Sequence, residues 1–205
     1  MSVAIVDYGL GNLRSVAGAV EHLGHAARIT AEPAELRDAA KLILPGVGAF
    51  GDGMAKLRAR GLDEALTREV VEGGKPLLGI CLGFQLLAEA SEEFGEHQGL
   101  GWIAGRVTRL RPDDASLPVP HVGWNELHQV RPSRLFAGIA DGALFYFVHS
   151  YRLAPRAGGL AVGETDYGGR FVAAIERDNI LGTQFHPEKS QKDGLAVLGN
   201  FLDHA

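Results

Sequence analysis

The sequence predicts an α/β protein: a central, mostly parallel sheet flanked by helices, with an antiparallel portion toward the C-terminus. Three observations carry this. In the first half, short β-type apolar runs alternate with stretches whose apolar residues recur at helical spacing. Past Gly95 short alternating strands follow one another, separated by turn signals. Glycine stands at 28 of 205 residues, about twice the usual ~7%, which calls for many backbone positions at positive φ or in close approach.

The elements follow in order. Val3-Ala4-Ile5-Val6 reads as a strand, and Leu13, Val16, Ala17, Val20 and Leu23 fall on one helical face between Asn12 as N-cap and Gly24 as stop. Arg28-Ile29-Thr30 and Leu42-Ile43-Leu44 are short strands, the latter ending at Pro45 and a glycine-rich loop. Helical spacing resumes through Met54 and Leu57, then Leu62, Ala65 and Leu66. Leu77-Leu78-Gly79-Ile80 is a buried strand by composition, residues 82–90 have the content of a helix, and Cys81 sits at the junction. Residues 106–110, 144–148, 171–176 and 180–185 read as strands, with Asp178-Asn179 as a hairpin turn. Leu195, Leu198, Phe201 and Leu202 mark a closing helix. Internal repeats and a dividing linker are missing, so residues 1–205 are expected to form one domain.

Composition narrows the function. A net charge of -5 without any Lys/Arg run argues against nucleic acid as a partner. The single cysteine forms no internal disulfide, and a reducing, cytoplasmic setting is expected. The uncharged apolar stretch 76–88 is shorter than the roughly 18–20 residues of a membrane span, and Asp7 arrives too early for a signal-peptide core. With neither His-Glu-x-x-His nor EF-hand spacing, no metal or cofactor is expected.

The chemistry concentrates at Gly79-Ile80-Cys81-Leu82-Gly83, a Gly-x-nucleophile-x-Gly pattern at a strand-to-helix turn. Such a turn lifts the nucleophile out at the sheet end and leaves no room for β-carbons two residues away on either side. A helix starting at Leu82 places free N–H groups and its positive end beside the sulfur, favouring a thiolate and offering the Leu82 N–H to an oxyanion. Alone, a single cysteine is as readily a small buried hydrophobe. His186-Pro187-Glu188 supplies the base: Pro187 biases His186 toward an extended backbone, where residues two apart share a side, so Glu188 can hold the imidazole. Gly46-Val47-Gly48-Ala49-Phe50-Gly51 is a literal G-x-G-x-x-G. It lies outside the opening βα unit, and the acids Asp63 and Glu64 that follow are in a helical pattern, so it is not a dinucleotide fingerprint. Its amides can give a second oxyanion donor. His121 and His149 lie in apolar segments, where a satisfied core histidine and a ligand contact are equally open readings.

Gly79-Ile80-Cys81-Leu82-Gly83-Phe84-Gln85 and Phe185-His186-Pro187-Glu188 resemble the signature of class I (triad) glutamine amidotransferases. The opening residues 5–13, the 45–54 loop, Pro120-His121-Val122-Gly123-Trp124-Asn125 and Lys189-Ser190-Gln191 are similar to one branch, the glutaminase subunits of imidazole glycerol phosphate synthase. Phe84 stands where many relatives carry Met. The resemblance spans almost the whole chain and implies a flavodoxin-like class I fold with Cys81, His186 and Glu188 as triad. It also implies an oxyanion hole from Leu82 and the Val47-Gly48 peptide, and a glutamine pocket lined by Gly48, Gln85, Ser150 and Tyr151. The partner it implies is a (β/α)8 cyclase subunit taking ammonia in a heterodimer, with Asn12, Val47, Phe50, Trp124 and Lys189 at or bordering the interface. The loop from Pro45 to Gly48 can present either a carbonyl or an N–H toward Cys81, a means of control. The competing readings are a glutaminase serving another synthase such as anthranilate or aminodeoxychorismate synthase, a catalytically silent binding module, and a stand-alone cysteine hydrolase.

Overall fold

A computed structural model describes residues 2–156 and 158–204. The first half contains β1 (Ser2–Val6), α1 (Leu13–His22), β2 (Ala26–Thr30), β3 (Lys41–Leu44), α2 (Phe50–Ala59), α3 (Leu62–Leu66), β4 (Leu77–Ile80) and α4 (Leu82–Gln85). There follow β5 (Ala88–Ser91), β6 (His97–Gln98), β7 (Ile103–Arg109), β8 (His121–Gln129), β9 (Ala143–His149), β10 (Tyr151–Pro155), β11 (Ala161–Asp166), β12 (Arg170–Arg177), β13 (Ile180–Thr183) and α5 (Gln191–His204). A nine-stranded sheet has the order β2-β1-β3-β4-β13-β12-β11-β8-β9, and a four-stranded sheet the order β10-β7-β5-β6. In the large sheet every pairing from β2 to β13 is parallel and every pairing from β13 to β9 antiparallel. The two halves of the sequence thus meet at the β4–β13 pair, with Ile80 opposite Thr183.

The parallel strands are apolar throughout because both faces are covered. Val3 and Ile5 pack with Val16 and Val20 of α1 and Val197, Leu198 and Phe201 of α5. Ala4 and Val6 face the other way, toward Met54, Leu57, Leu62 and Leu66 of α2 and α3 and toward Ile103, Val107 and Leu153 of the small sheet. Asn12 stands at the N-cap of α1, but its side chain makes no capping hydrogen bond, so the expected cap is positional only. No helix among the described residues is long and apolar enough to cross a membrane.

The helix expected over residues 82–90 is a correction. It stops after Gln85, and Ala88–Ser91 is a strand whose residues pair in parallel with β7 and antiparallel with β6. Ala-Glu-Ala favours a helix locally, but the edge of β7 offers a full ladder, and tertiary pairing outweighs a propensity of a few tenths of a kcal/mol per residue.

The last turn of α5 is closed by an unusual donor. Lys41, 4% exposed within β3, donates from Nζ to the Phe201 and Leu202 carbonyls at 2.8 and 2.7 Å. Two of the carbonyls a helix end leaves unpaired are satisfied, and the cation sits at the negative pole. Lys41→Met keeps the packing and removes both bonds. It is expected to cost about 1–3 kcal/mol in chemical denaturation, with hydrogen-exchange protection lost first in the final turn of α5; unchanged stability would show that water serves those carbonyls equally well.

Candidate active site

Cys81 occupies the turn between β4 and α4 with φ 53° and ψ -108°, a conformation that a non-glycine residue adopts only when its surroundings impose it. The surroundings are close contacts made through glycine. A β-carbon on Gly83 would lie 1.8 Å from the Leu44 carbonyl oxygen, one on Gly79 2.8 Å from Cα of Phe84, and one on Gly182 2.4 Å from the Phe84 ring. The two glycines of the motif therefore let α4 rest directly on β3 and β4, and Gly182 of β13 admits Phe84. The Cys81 N–H donates to the Thr183 carbonyl at 2.8 Å, fixing the turn to the end of β13.

The chain leaves β13 through Gln184 and Phe185 to His186, so both strand ends deliver their functional residues to one place. His186 Nδ1 lies 2.8 Å from Glu188 Oε1, and the side chains are 2% and 1% exposed. Burial alone pushes the imidazole pKa down. Negative charge at Cys81, hydrogen bonding to its sulfur, and the bond and charge of Glu188 more than offset this and raise it from 6.5 to about 10. Nδ1 being taken by Glu188, Nε2 is the nitrogen left for Cys81; it has no hydrogen bond of regular geometry among the described residues. The arrangement favours the charged form of the His186 ring.

A cleft of about 170 Å³ opens above Cys81, its lining including Val47, Gly48, Gln85, Ser150 and Tyr151. Every residue expected at the nucleophile, the oxyanion hole or the glutamine pocket borders this cleft or stands behind it. Wider grooves of about 660 and 380 Å³ lie along α2 and α3, lined by neither Cys81 nor His186, so chemistry and not size singles out the smaller one. The Leu82 N–H, expected to serve an oxyanion, donates to the Gly46 carbonyl at 3.3 Å. The loop thus presents a carbonyl to the start of α4, and Gly48 at φ 105° gives it a conformation suited to glycine. The four residues of α4 supply local N–H groups only, not the longer helix dipole expected from residues 82–90.

Two further differences concern single residues. Phe50, expected at or bordering a partner interface, is fully buried against the core, so its side chain offers no partner surface. Glu93, not singled out from the sequence, also lines the cleft; its Oε2 accepts the Phe50 N–H at 2.7 Å, and burial raises its pKa. The run Ser91-Glu92-Glu93 reads as an ordinary polar turn, and only the pairing of β5 with β7 brings Glu93 to the cleft. Asn12 is half-buried, Val47 and Trp124 are 39% and 46% exposed, and Lys189 is exposed with Nζ 5.8 Å from the Tyr146 ring centre. His121 and His149 turn out to be hydrogen-bonded to each other, Nδ1 to Nε2 at 3.0 Å.

Gly83→Ala is expected to abolish folding or lower stability by about 3 kcal/mol or more, because its methyl meets a strand carbonyl that cannot yield; thermal denaturation checks this. His149 gives a pH dependence. Burial, with the positive charges of His121 and His186, lowers its pKa from 6.5 to about 3 against the opposing bond to Tyr151. The unfolded chain therefore binds the proton first: above pH 6.5 nothing is lost, and below it stability falls by up to about 1.4 kcal/mol per pH unit, levelling off near the folded value. Denaturation midpoints at about pH 7 and 5 are expected to lie closer together in His149→Phe than in the parent chain; equal separations would sink this assignment.

With this geometry in place, comparison with known proteins is direct. Residues 4–205 match the family described as glutamine amidotransferase class-I. The chain is 51% identical to imidazole glycerol phosphate synthase subunit HisH of Syntrophotalea carbinolica over 98% of this chain and 99% of that one. It is 52% identical to the subunit of the same name of Moorella thermoacetica, covering 97% and 93%. Among solved structures, PurLQS from Thermotoga maritima superposes with a TM-score of 0.77 at 21% identity, covering 98% of this chain and 97% of that one, a likeness of fold. The chain belongs to the class I glutamine amidotransferases and, within them, to the HisH glutaminase subunits of imidazole glycerol phosphate synthase, enzymes of histidine biosynthesis.

Proposed function

We propose that residues 1–205 act as one catalytic unit that hydrolyses glutamine to glutamate and ammonia through a Cys81–His186–Glu188 triad. The observation that carries this reading is the buried His186–Glu188 pair delivered beside Cys81 on its strained turn. The Cys81 thiolate attacks the side-chain carboxamide carbon of glutamine. The resulting oxyanion needs donors, which the Leu82 N–H and a Val47–Gly48 peptide N–H supply once the Gly46 carbonyl has turned away. The imidazolium of His186 gives its proton to the departing nitrogen, ammonia leaves, and a γ-glutamyl thioester remains. Water, deprotonated by His186, then attacks the thioester; glutamate is released and the thiol restored, while Glu188 orients the ring and stabilises its charged form. Gln85 uses its amide nitrogen on protein carbonyls, so its oxygen is free to accept from the substrate. Glu93 has one carboxylate oxygen beyond the Phe50 N–H with which to meet the substrate's ammonium. Gly48, Ser150 and Tyr151 complete the glutamine pocket, and the setting is cytoplasmic, where one thiol stays reduced.

Free ammonia in water at neutral pH is protonated and lost as a nucleophile, so the reaction has a purpose only beside a second active site. The proposed partner is the (β/α)8 cyclase subunit, which takes ammonia to form imidazole glycerol phosphate and aminoimidazole carboxamide ribotide in a heterodimer. Support comes from the β8–β9 pair at the end of the large sheet. Val122 and Trp124, opposite Val148 and Tyr146 in the ladder, form with Leu144 an apolar exposed stripe, and Lys189 lies over Tyr146 beside it. Asn12 and Val47 belong to the same proposed interface. Because the Leu82 N–H is engaged by Gly46, docking of the loaded partner is the event proposed to turn the loop.

Glutamate release from glutamine by the purified chain, with and without a cyclase subunit and its ribonucleotide substrate, tests the reading. Strong stimulation by the partner, abolished by Cys81→Ala, is expected. Equal turnover without the partner would keep the triad and overturn the control; no turnover despite stable binding would favour a silent module. Trp124→Ala is expected to weaken complex formation by about tenfold or more, as loss of an aromatic anchor does; titration calorimetry showing unchanged affinity would remove Trp124 from the interface.

A further inference from the structure

Behind the cleft a continuous chain of hydrogen bonds runs from β8 to the nucleophile, and its donors and acceptors are fixed one after another. Asn125 Nδ2 lies 2.8 Å from the Asp166 carbonyl, which can only accept, so the amide nitrogen is identified. The same nitrogen lies 3.3 Å from His121 Nε2, which therefore accepts and leaves the proton of that ring on Nδ1. His121 Nδ1–H donates to His149 Nε2 at 3.0 Å, and His149 Nδ1–H donates to the Tyr151 carbonyl at 2.9 Å. The far end demands the same direction independently, since that carbonyl too can only accept. The Tyr151 carbonyl also receives Gln85 Nε2 at 2.8 Å, and the second N–H of Gln85 goes to Gln184 Oε1 at 3.0 Å. The oxygen of Gln184 being committed, its NH2 group faces Cys81 Sγ at 3.8 Å. His121, His149, Gln85 and Gln184 are 2, 6, 5 and 0% exposed, and burial holds both imidazoles neutral, with pKa values of about 4 and about 3.

We propose that Gln184 is a further catalytic residue, donating a carboxamide N–H to the Cys81 thiolate, and that Gln85, itself oriented by the Tyr151 carbonyl it shares with His149, is the positioning residue that fixes its orientation. An unrestrained carboxamide can turn over and set its oxygen against the sulfur, which repels a thiolate; Gln85 prevents this by occupying that oxygen. A donor to an ionised acceptor is stabilised roughly twice as strongly as one to a neutral acceptor, so the bond matters most when the nucleophile is charged. The chain starts at Asn125, on the face of the β8–β9 pair opposite the exposed Trp124. The inference rests on Cys81 being the nucleophile.

The test reads the thiolate and uses no glutamine, so it and the proposed reaction fail separately. Gln184→Met keeps the length and removes the donor. Alkylation of Cys81 by iodoacetamide is followed from about pH 5 to about pH 9. The other groups facing the sulfur or lining its cleft are unchanged in both chains: His186 with Glu188 behind it after β13, the buried Tyr8 hydroxyl after β1, the Val148 carbonyl 3.9 Å from Sγ, His149, and Glu93 across the cleft. Expected is a rate at the acid end lower by about tenfold, with the alkaline plateau kept. A folded variant whose curve overlays that of the parent overturns the proposal. Should Gln184→Met not fold, Gln184→Glu, which keeps the shape and sets acceptor oxygens against the sulfur, decides: an acid-end rate lower by about tenfold or more supports the bond, and a curve that overlays that of the parent overturns it.

Discussion

The site depends first on how closely α4 can approach the sheet. A strand-to-helix turn that points a side chain out of the sheet end forces the following backbone onto the neighbouring strands, and here that backbone touches the Leu44 carbonyl, with the β-carbon of residue 83 missing. Gly79, Gly83 and Gly182 each remove one obstruction. Cys81 carries the remaining strain, of order 1–3 kcal/mol for a non-glycine residue outside the common backbone regions, and the packed surroundings hold it there. Once the turn is set, the β4–β13 ladder determines that His186 emerges beside the sulfur, because Ile80 is opposite Thr183.

Burial then acts in two directions on chemically identical groups. His149 and His121 are buried against uncharged hydrogen-bond partners, and desolvation, joined at His149 by repulsion from His121 and His186, drives them to the neutral form. His186 is buried as deeply, but Glu188 and Cys81 supply negative charge on both sides of its ring and drive it to the charged form. One small volume thus contains an imidazolium able to give a proton and imidazoles able to orient neighbours without titrating at neutral pH. The difference lies in two side chains, not in accessibility.

The same folding that builds the cleft leaves it short of the arrangement the proposed hydrolysis requires, since the Leu82 N–H is engaged by the Gly46 carbonyl. The exposed stripe on β8 and β9 lies on the opposite face of that strand pair from the hydrogen bonds of His121 and Asn125, whereas the loop from Pro45 to Gly48 borders the cleft directly through Val47 and Gly48.

The sequence alone was enough for the βα alternation, the limits of β4, the hairpin at Asp178-Asn179 and the place of Cys81 on a strand-to-helix turn, because each depends on local rules: apolar periodicity, turn residues and glycine beside a sharp turn. It also placed Glu188 against His186, though a 3-10 turn over Pro187–Lys189 and not the expected extended backbone brings the two together. The tertiary structure decided what local rules do not contain. Residues 88–91 are a strand because β7 offers a partner, Phe50 lies in the core because α2 rests on the small sheet, and Glu93 reaches the cleft only through that strand. His121 and His149, equally readable as core or ligand histidines, became members of one relay when β8 and β9 paired them across the ladder. Contacts between residues far apart in the chain are set by which strand edges and faces meet, and that choice is a property of the whole fold.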